Sequence, residues 1–325
     1  MEGFDPKWRD QADYVLGITK AIWEDRGIRS LEGFYGEDLI VRSPSSVIKG
    51  NGGIVAATLA TLAEFPDREL LGEDVIWTLT GEDSFLSSHR LYCTATHSGA
   101  GMYGPPTGRQ LAYRILADCW CRGNAVQDEW LVRDQGAIVL QMGEDIPGWT
   151  RRLIAREGGP EACVAPYRPE IDIAGPYDGV GDGAAPSDAL GALLGDAMAG
   201  DFSAFAKGYD RAARLAYPCH EAGRGPEDAV RFWMSLRNAL PSAEFVIHHA
   251  IGRLDDPDMP PRAAIRWSMD GRHDGYGRFG PPTGATLHVM GITHAEFGPR
   301  GLAREWTLID DTAVWKQILL STGDV

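Results

Sequence analysis

The chain writes one twelve-residue pattern twice, as HSGAGMYGPPTG ending at Gly108 and as HDGYGRFGPPTG ending at Gly284, an offset of 176 residues. With that offset held and no gap, Arg90 matches Arg266, His97 matches His273, and Gly99 and Gly101 match Gly275 and Gly277. Leu111 then matches Leu287, Glu129-Trp130 match Glu305-Trp306, Asp134 matches Asp310 and Gln141 matches Gln317. Self-similarity at a fixed offset marks a repeated structural unit. The 325 residues therefore divide into two diverged copies of one module. Upstream the match is weaker but keeps its order, with Tyr35 against Tyr209, Gly50 against Gly225 and Pro66 against Pro241. We place the first module at 1–157, a Gly-, Pro- and Ala-rich linker at 158–185, and the second module at 186–325.

Each copy opens with helical patterns, DYVLGITKAIWEDRG in the first and SDALGALLGDAMAGD in the second, the latter with Ser187 as N-cap. A short strand and a second helix follow, GIVAATLATLAEF or EDAVRFWMSLRNAL. Four strand-like runs complete the first copy at Leu70–Leu79, Ser87–His97, Arg109–Arg122 and Ala125–Leu140, with equivalents in the second. Helices followed by a run of antiparallel strands predict the α+β class. Each module is expected to be a cone, a strongly curved antiparallel sheet wrapped around helices.

In GPPTG the prolines fix φ and remove donors while the glycines admit positive φ, so the segment is a rigid turn. The recurrence of histidine seven residues before it leaves a structural and a functional use open. In RQLAYRILADCWC, alternation puts Arg114, Leu116, Asp118 and Trp120 on one face, and Tyr113, Ile115, Ala117, Cys119 and Cys121 on the other. An aspartate on a concave strand face would have its charged form disfavoured, which suits a general acid or base. The alternative is an ion pair with Arg114 or Arg90. On the fourth strand Trp130 and its match Trp306 read as core residues. Asp134 and Asp310 read as arginine partners, helix caps or cavity residues. The Cys119-Trp120-Cys121 run reads as packing, because no second pair completes a metal set.

The order His97-Ser98-Gly99, GPPTG, Asp118, Glu129-Trp130, Asp134 and Gln141-Met142-Gly143 resembles the SnoaL-like polyketide cyclases, ester-cyclase-type proteins of the nuclear transport factor 2-like superfamily. The resemblance covers about residues 10–145 and more weakly 187–322. It implies the α+β cone, chemistry without cofactor or metal, Asp118 as acid/base and His97 as its assistant. Arg90 would stabilise an enolate, and Arg114, Trp120, Trp130 and Asp134 would help bind substrate. In the second copy His294 stands at the offset position of Asp118, which leaves His273, His294, Arg266, Trp306 and Asp310 as its candidates. A tandem of this kind is expected to form an intramolecular pseudo-dimer through the outer faces of its sheets, with further self-association possible.

The net charge of −15 and pI near 4.9 argue against nucleic acid and anionic membranes as partners. Five scattered cysteines, no leader-like apolar start and no long apolar run point to a reduced, cytoplasmic protein. Adjacent strand residues face opposite ways, so only one of His248 and His249 can join His273 and His294, and a metal site there is disfavoured because no carboxylate is placed with it. Two functions follow. One is a cofactor-free acid/base enzyme acting on a small, largely apolar carbonyl or enolisable compound in the first module; the other is a non-catalytic small-molecule-binding protein.

Overall fold

The computed structural model describes all 325 residues. The first module begins with α1 (Gln11–Thr19), whose N-cap Asp10 accepts from the Asp13 amide, and α2 (Leu31–Phe34). Next come β1 (Tyr35–Ser43), β2 (Ser46–Lys49) and the long helix α3 (Asn51–Glu64). Four strands follow: β3 (Glu69–Gly81), β4 (Ser84–Thr96), β5 (Gln110–Arg122) and β6 (Ala125–Arg133). Helices α4 (Gln135–Gln141) and α5 (Ile146–Arg156) end the module.

The second module repeats this order except for the last helix, α5. It runs through α6 (Ala185–Met198), α7 (Ser203–Gly208), β7 (Tyr209–Tyr217), β8 (Glu221–Arg224) and α8 (Gly225–Ala239). Then come β9 (Glu244–Arg253), β10 (Arg262–Arg272), β11 (Thr286–Gly298), β12 (Gly301–Ile309) and α9 (Asp311–Thr322). The two six-stranded sheets have matching orders, β2-β1-β6-β5-β4-β3 and β8-β7-β12-β11-β10-β9. The chain is thus two α+β modules. None of its helices is long and apolar enough to cross a membrane.

The sheets are mixed rather than purely antiparallel, because β1 pairs parallel to β6 and β7 parallel to β12. A parallel neighbour needs a long crossover, and here a helix and four strands lie between the two partners. Two local expectations also shift. The run Ala125–Leu140 is strand only to Arg133, where the Asp134 carboxylate accepts from the Ala137 amide and starts α4. Helix α6 starts one turn before Ser187 as a cap would set it. Pro186 lies in its first turn, and the Ser187 hydroxyl donates back to the Ala184 carbonyl.

The outer faces of the two sheets pack on each other. Leu116, Trp130 and Val132 meet Met290, Ile292 and Leu308, while Ile76 and Leu86 meet Ile251 and Ala264. Behind this seam the inner faces differ. The second cone is filled by a single cluster that includes Phe232, Trp233, Trp267 and Phe279. The inner side of the first divides into two smaller clusters. Trp233 is fully buried, so Trp233→Ala should cost about 3–5 kcal/mol. Denaturant unfolding of the whole chain checks this, and a loss under about 1 kcal/mol would show that the second cone is not tightly filled.

Candidate active site

The inward faces of β4, β5 and β6 enclose a cavity of about 530 Å³ in the first cone. His89 and Leu91 face it from β4, Tyr113, Ile115 and Ala117 from β5, and Glu129, Leu131 and Arg133 from β6. Helix α3 contributes Ala57 and Thr58. Thr312, Ala313 and Lys316 of α9 reach the same cavity from the second module, with Lys316 Nζ 2.5 Å from Glu157.

Why this cone is hollow follows from the repeat. In the second module the carboxylate of Glu305 is fully buried. It accepts from Tyr209 Oη at 2.8 Å, Tyr217 Oη at 2.9 Å, Trp233 Nε1 at 3.0 Å and Thr307 Oγ1 at 2.7 Å. The Thr307 hydroxyl meets Thr293, which accepts from the Trp267 indole. Matching strand registers and helix ends place Tyr35, Ser43, Thr58, Leu131, Ala117 and Leu91 at the corresponding positions of the first module. Only the tyrosine is kept. All six of these residues line the cavity, so two indoles and a phenol have given way to space.

Glu129, the counterpart of Glu305, therefore sits in an apolar wall without most of its donors. Burial pushes its carboxyl up to about 7, the Tyr35 hydroxyl offsets part of that rise, and the Asp128 charge adds to it. Burial likewise holds Glu64 above its ordinary value, against amide bonds from Tyr103 at 2.7 Å and Met102 at 3.0 Å. His89 is pushed down to about 4 by burial and is neutral, with Nδ1 unpartnered. Arg68 Nε and Nη1 and Arg133 Nε are buried without a hydrogen-bond partner. No group of three or more His, Cys, Asp or Glu side chains is placed to hold a metal ion.

The candidates drawn from the sequence lie mostly elsewhere. Asp118 is not in the cavity. It is 1% exposed on the outer face of β5, where it accepts from Ser88 Oγ at 2.5 Å and pairs with Arg266 of the other module at 3.2 Å. Burial raises its carboxyl and the Arg266 charge lowers it. His294 Nε2 meets the same Ser88 hydroxyl at 2.8 Å, and burial with the Arg90 charge drives its imidazole far below the usual range. Arg90 lies over the Trp306 ring at 3.5 Å and Arg266 over Trp130 at 3.9 Å, a reciprocal pair across the seam. Arg90 and Arg114 both bond Glu73. Trp120 donates to Thr80 and stacks on Tyr177 of the linker.

His97 and His273 play one role in both modules. Each imidazole Nδ1 meets the loop threonine, Thr107 at 3.1 Å or Thr283 at 3.0 Å. Each backbone carbonyl accepts from the last glycine, Gly108 or Gly284, and both glycines adopt positive φ. Histidine therefore staples the GPPTG turn. His97 Nε2 stands 3.3 Å from Glu64 Oε1, behind the cavity wall rather than on it. Asp134 caps α4 and also accepts from the Cys219 and His220 amides, while Asp310 caps α9 and accepts from Gln135. Asp310 alone of these candidates lines the cavity.

The alternation along β5 holds, but Asp118 stands on its outward face rather than on the concave one. Tyr113, Ile115, Ala117, Cys119 and Cys121 form the uniformly apolar face, and that face belongs in a cone. The same signal would have turned Glu129 and Arg133 inward and Asp118 outward.

Residues 192–306 match the family model described as the SnoaL-like domain. That match spans most of the second module. The first carries the same sheet order and one further helix at its end. Among curated proteins none matches the chain. Similar solved structures include wild-type IdmH, a putative polyketide cyclase from Streptomyces antibioticus, at 23% identity and TM-score 0.36, covering 41% of this chain and 99% of that one. AclR, a putative hydroxylase from Streptomyces galilaeus, is 21% identical with TM-score 0.35, covering 40% of this chain and 92% of that one. A putative SnoaL-like polyketide cyclase from Jannaschia sp. CCS1 is 18% identical with TM-score 0.37, covering 43% and 96%.

An aspartate that serves the seam should matter to stability first. Asp118→Asn leaves the Arg266 charge buried without its counter-ion, which costs about 3–5 kcal/mol. Chemical denaturation should show that loss; an unchanged midpoint would contradict the seam assignment.

Proposed function

We propose that the chain is a cofactor-free acid/base enzyme, with Glu129 moving a proton to or from a small, largely apolar carbonyl or enolisable compound held in the first cone. One observation carries this reading: the repeated carboxyl is satisfied by four donors in the second module and left poised near neutrality in a cavity in the first. A group with its midpoint near ambient pH has both protonation states available, the condition under which general acid–base catalysis is most effective. An apolar wall also strengthens a carboxylate as a base, because little water solvates its charge. Neutral His89 offers an unpartnered imidazole nitrogen to a substrate oxygen in the same space. Asp118 has no part in this scheme.

The reading that the cavity only binds a small molecule rests on the same volume, and proton transfer separates the two. The probe is 5-nitrobenzisoxazole, a small apolar compound whose ring opens when a base removes its C–H proton. The chain should accelerate that opening with a half-maximal rate near pH 7, and Glu129→Gln should remove about 10²-fold or more of it. A rate indifferent to Glu129 would leave binding as the only function supported.

The same carboxyl leaves a mark on stability. Between its ordinary 4.5 and about 7 the folded protein holds a proton that the unfolded chain releases. Stability therefore falls as pH rises through that window. Glu129→Gln removes the penalty, so its thermal midpoint should match the native one near pH 4 and exceed it at pH 8, by up to about 3 kcal/mol in stability. Equal midpoints at both pH values would contradict a raised Glu129.

A further inference from the structure

The cavity contains charge that the acid/base scheme does not use. Arg68 follows α3 and is 3% exposed, and its Nε and Nη1 have no partner. Arg133 ends β6, four residues beyond Glu129 on the same inward face, and its Nε is also unpartnered. Both line the cavity, and both lie near enough to Tyr113 of its wall for their charges to act on that phenol. Neither side chain forms an ion pair, in a chain where buried arginines 42, 90, 262 and 266 all have carboxylate partners.

The fold does not require these arginines. The registers that equate the two modules put Ala243 and Ile309 at their positions in the second cone, both in its apolar core. Burying a guanidinium with unmet donors is unfavourable unless an anion completes it. The rest of the wall is chiefly apolar, and a planar carboxylate is the anion whose two oxygens match guanidinium donors.

We propose that the first cone binds an apolar carboxylic acid, with its carboxylate held by Arg68 and Arg133 and its hydrocarbon body against the β4–β6 wall. This names the substrate class of the Glu129 site and rests on that reading for turnover, though not for binding. In it the arginines hold the acid group and Glu129 acts at a separate carbon of the same molecule.

The test uses the full chain and four matched pairs of ligands: 3-phenylpropanoate, 4-phenylbutanoate, hexanoate and octanoate, each beside its primary amide. Calorimetry at pH 7 should find at least one acid bound about tenfold to a hundredfold more tightly than its amide. Arg133→Ile and Arg68→Ala, each checked for native circular dichroism, should erase that preference while the amide still binds. If either fails to fold, Arg133→Gln and Arg68→Gln replace it, with the same expectation. Equal binding of acids and amides, no binding by any acid, or a preference that survives both substitutions would overturn the proposal. Such a failure with a Glu129-dependent opening of 5-nitrobenzisoxazole intact would leave the acid/base reading standing. Loss of that opening with the acid preference intact would do the reverse.

Discussion

A carboxyl group carried into an apolar cone must either be met by donors or keep its proton, and the rest of this molecule is arranged around that choice. The second module takes the first course, its donors opposing the burial that still holds Glu305 above its ordinary value. Two phenols, an indole and a hydroxyl converge on Glu305, and the aromatic bodies that deliver them fill the cone. The first module has kept Tyr35 but replaced the other donors by Ser43, Thr58 and Leu131. Losing the donors and losing the volume are one event. The substitutions that open the cavity are those that leave Glu129 unsatisfied, so space for a ligand and a carboxyl poised near neutrality arise together.

The seam between the modules depends on a different balance. Arg90 and Arg266 stack on Trp306 and Trp130 in a reciprocal pair, but their polar partners are unlike. Arg266 meets Asp118, whereas Arg90 meets Glu73 and neighbours the neutral His294. A carboxylate at position 294 would face the Ser88–Asp118 pair, and two buried like charges there would oppose each other. Exchange of aspartate for histidine removes that conflict. The seam also has a functional consequence, because it brings α9 of the second module to the first cavity with Thr312, Ala313 and Lys316. The filled module is thus part of the hollow module's wall.

Much of this architecture was open to inspection in the residues alone. The offset of 176 identified two modules, and helix-then-strand order gave the α+β class. The GPPTG turn lies where proline and glycine require it. The parallel β1–β6 pair was not legible, since a strand so far from its partner carries no local sign of direction. Asp118 is a charged residue in a strand, but the five apolar side chains alternating with it define the inward face. Arg68, His89 and Glu129 looked ordinary because a cavity is a property of residues distant in the chain. A comparison of the two copies would have exposed it, since Trp267 against Leu91 and Trp233 against Thr58 report lost volume directly.

The most direct measurement is the titration of the Glu129 side-chain carboxyl carbon by ¹³C NMR in the intact chain, with its resonance identified by absence from Glu129→Gln. A midpoint close to 7 is expected, well above the ordinary carboxylate range. A midpoint near 4.5 would mean that the group is solvated or paired like any surface glutamate, and the assignment of the first cone as the acid/base site would be wrong.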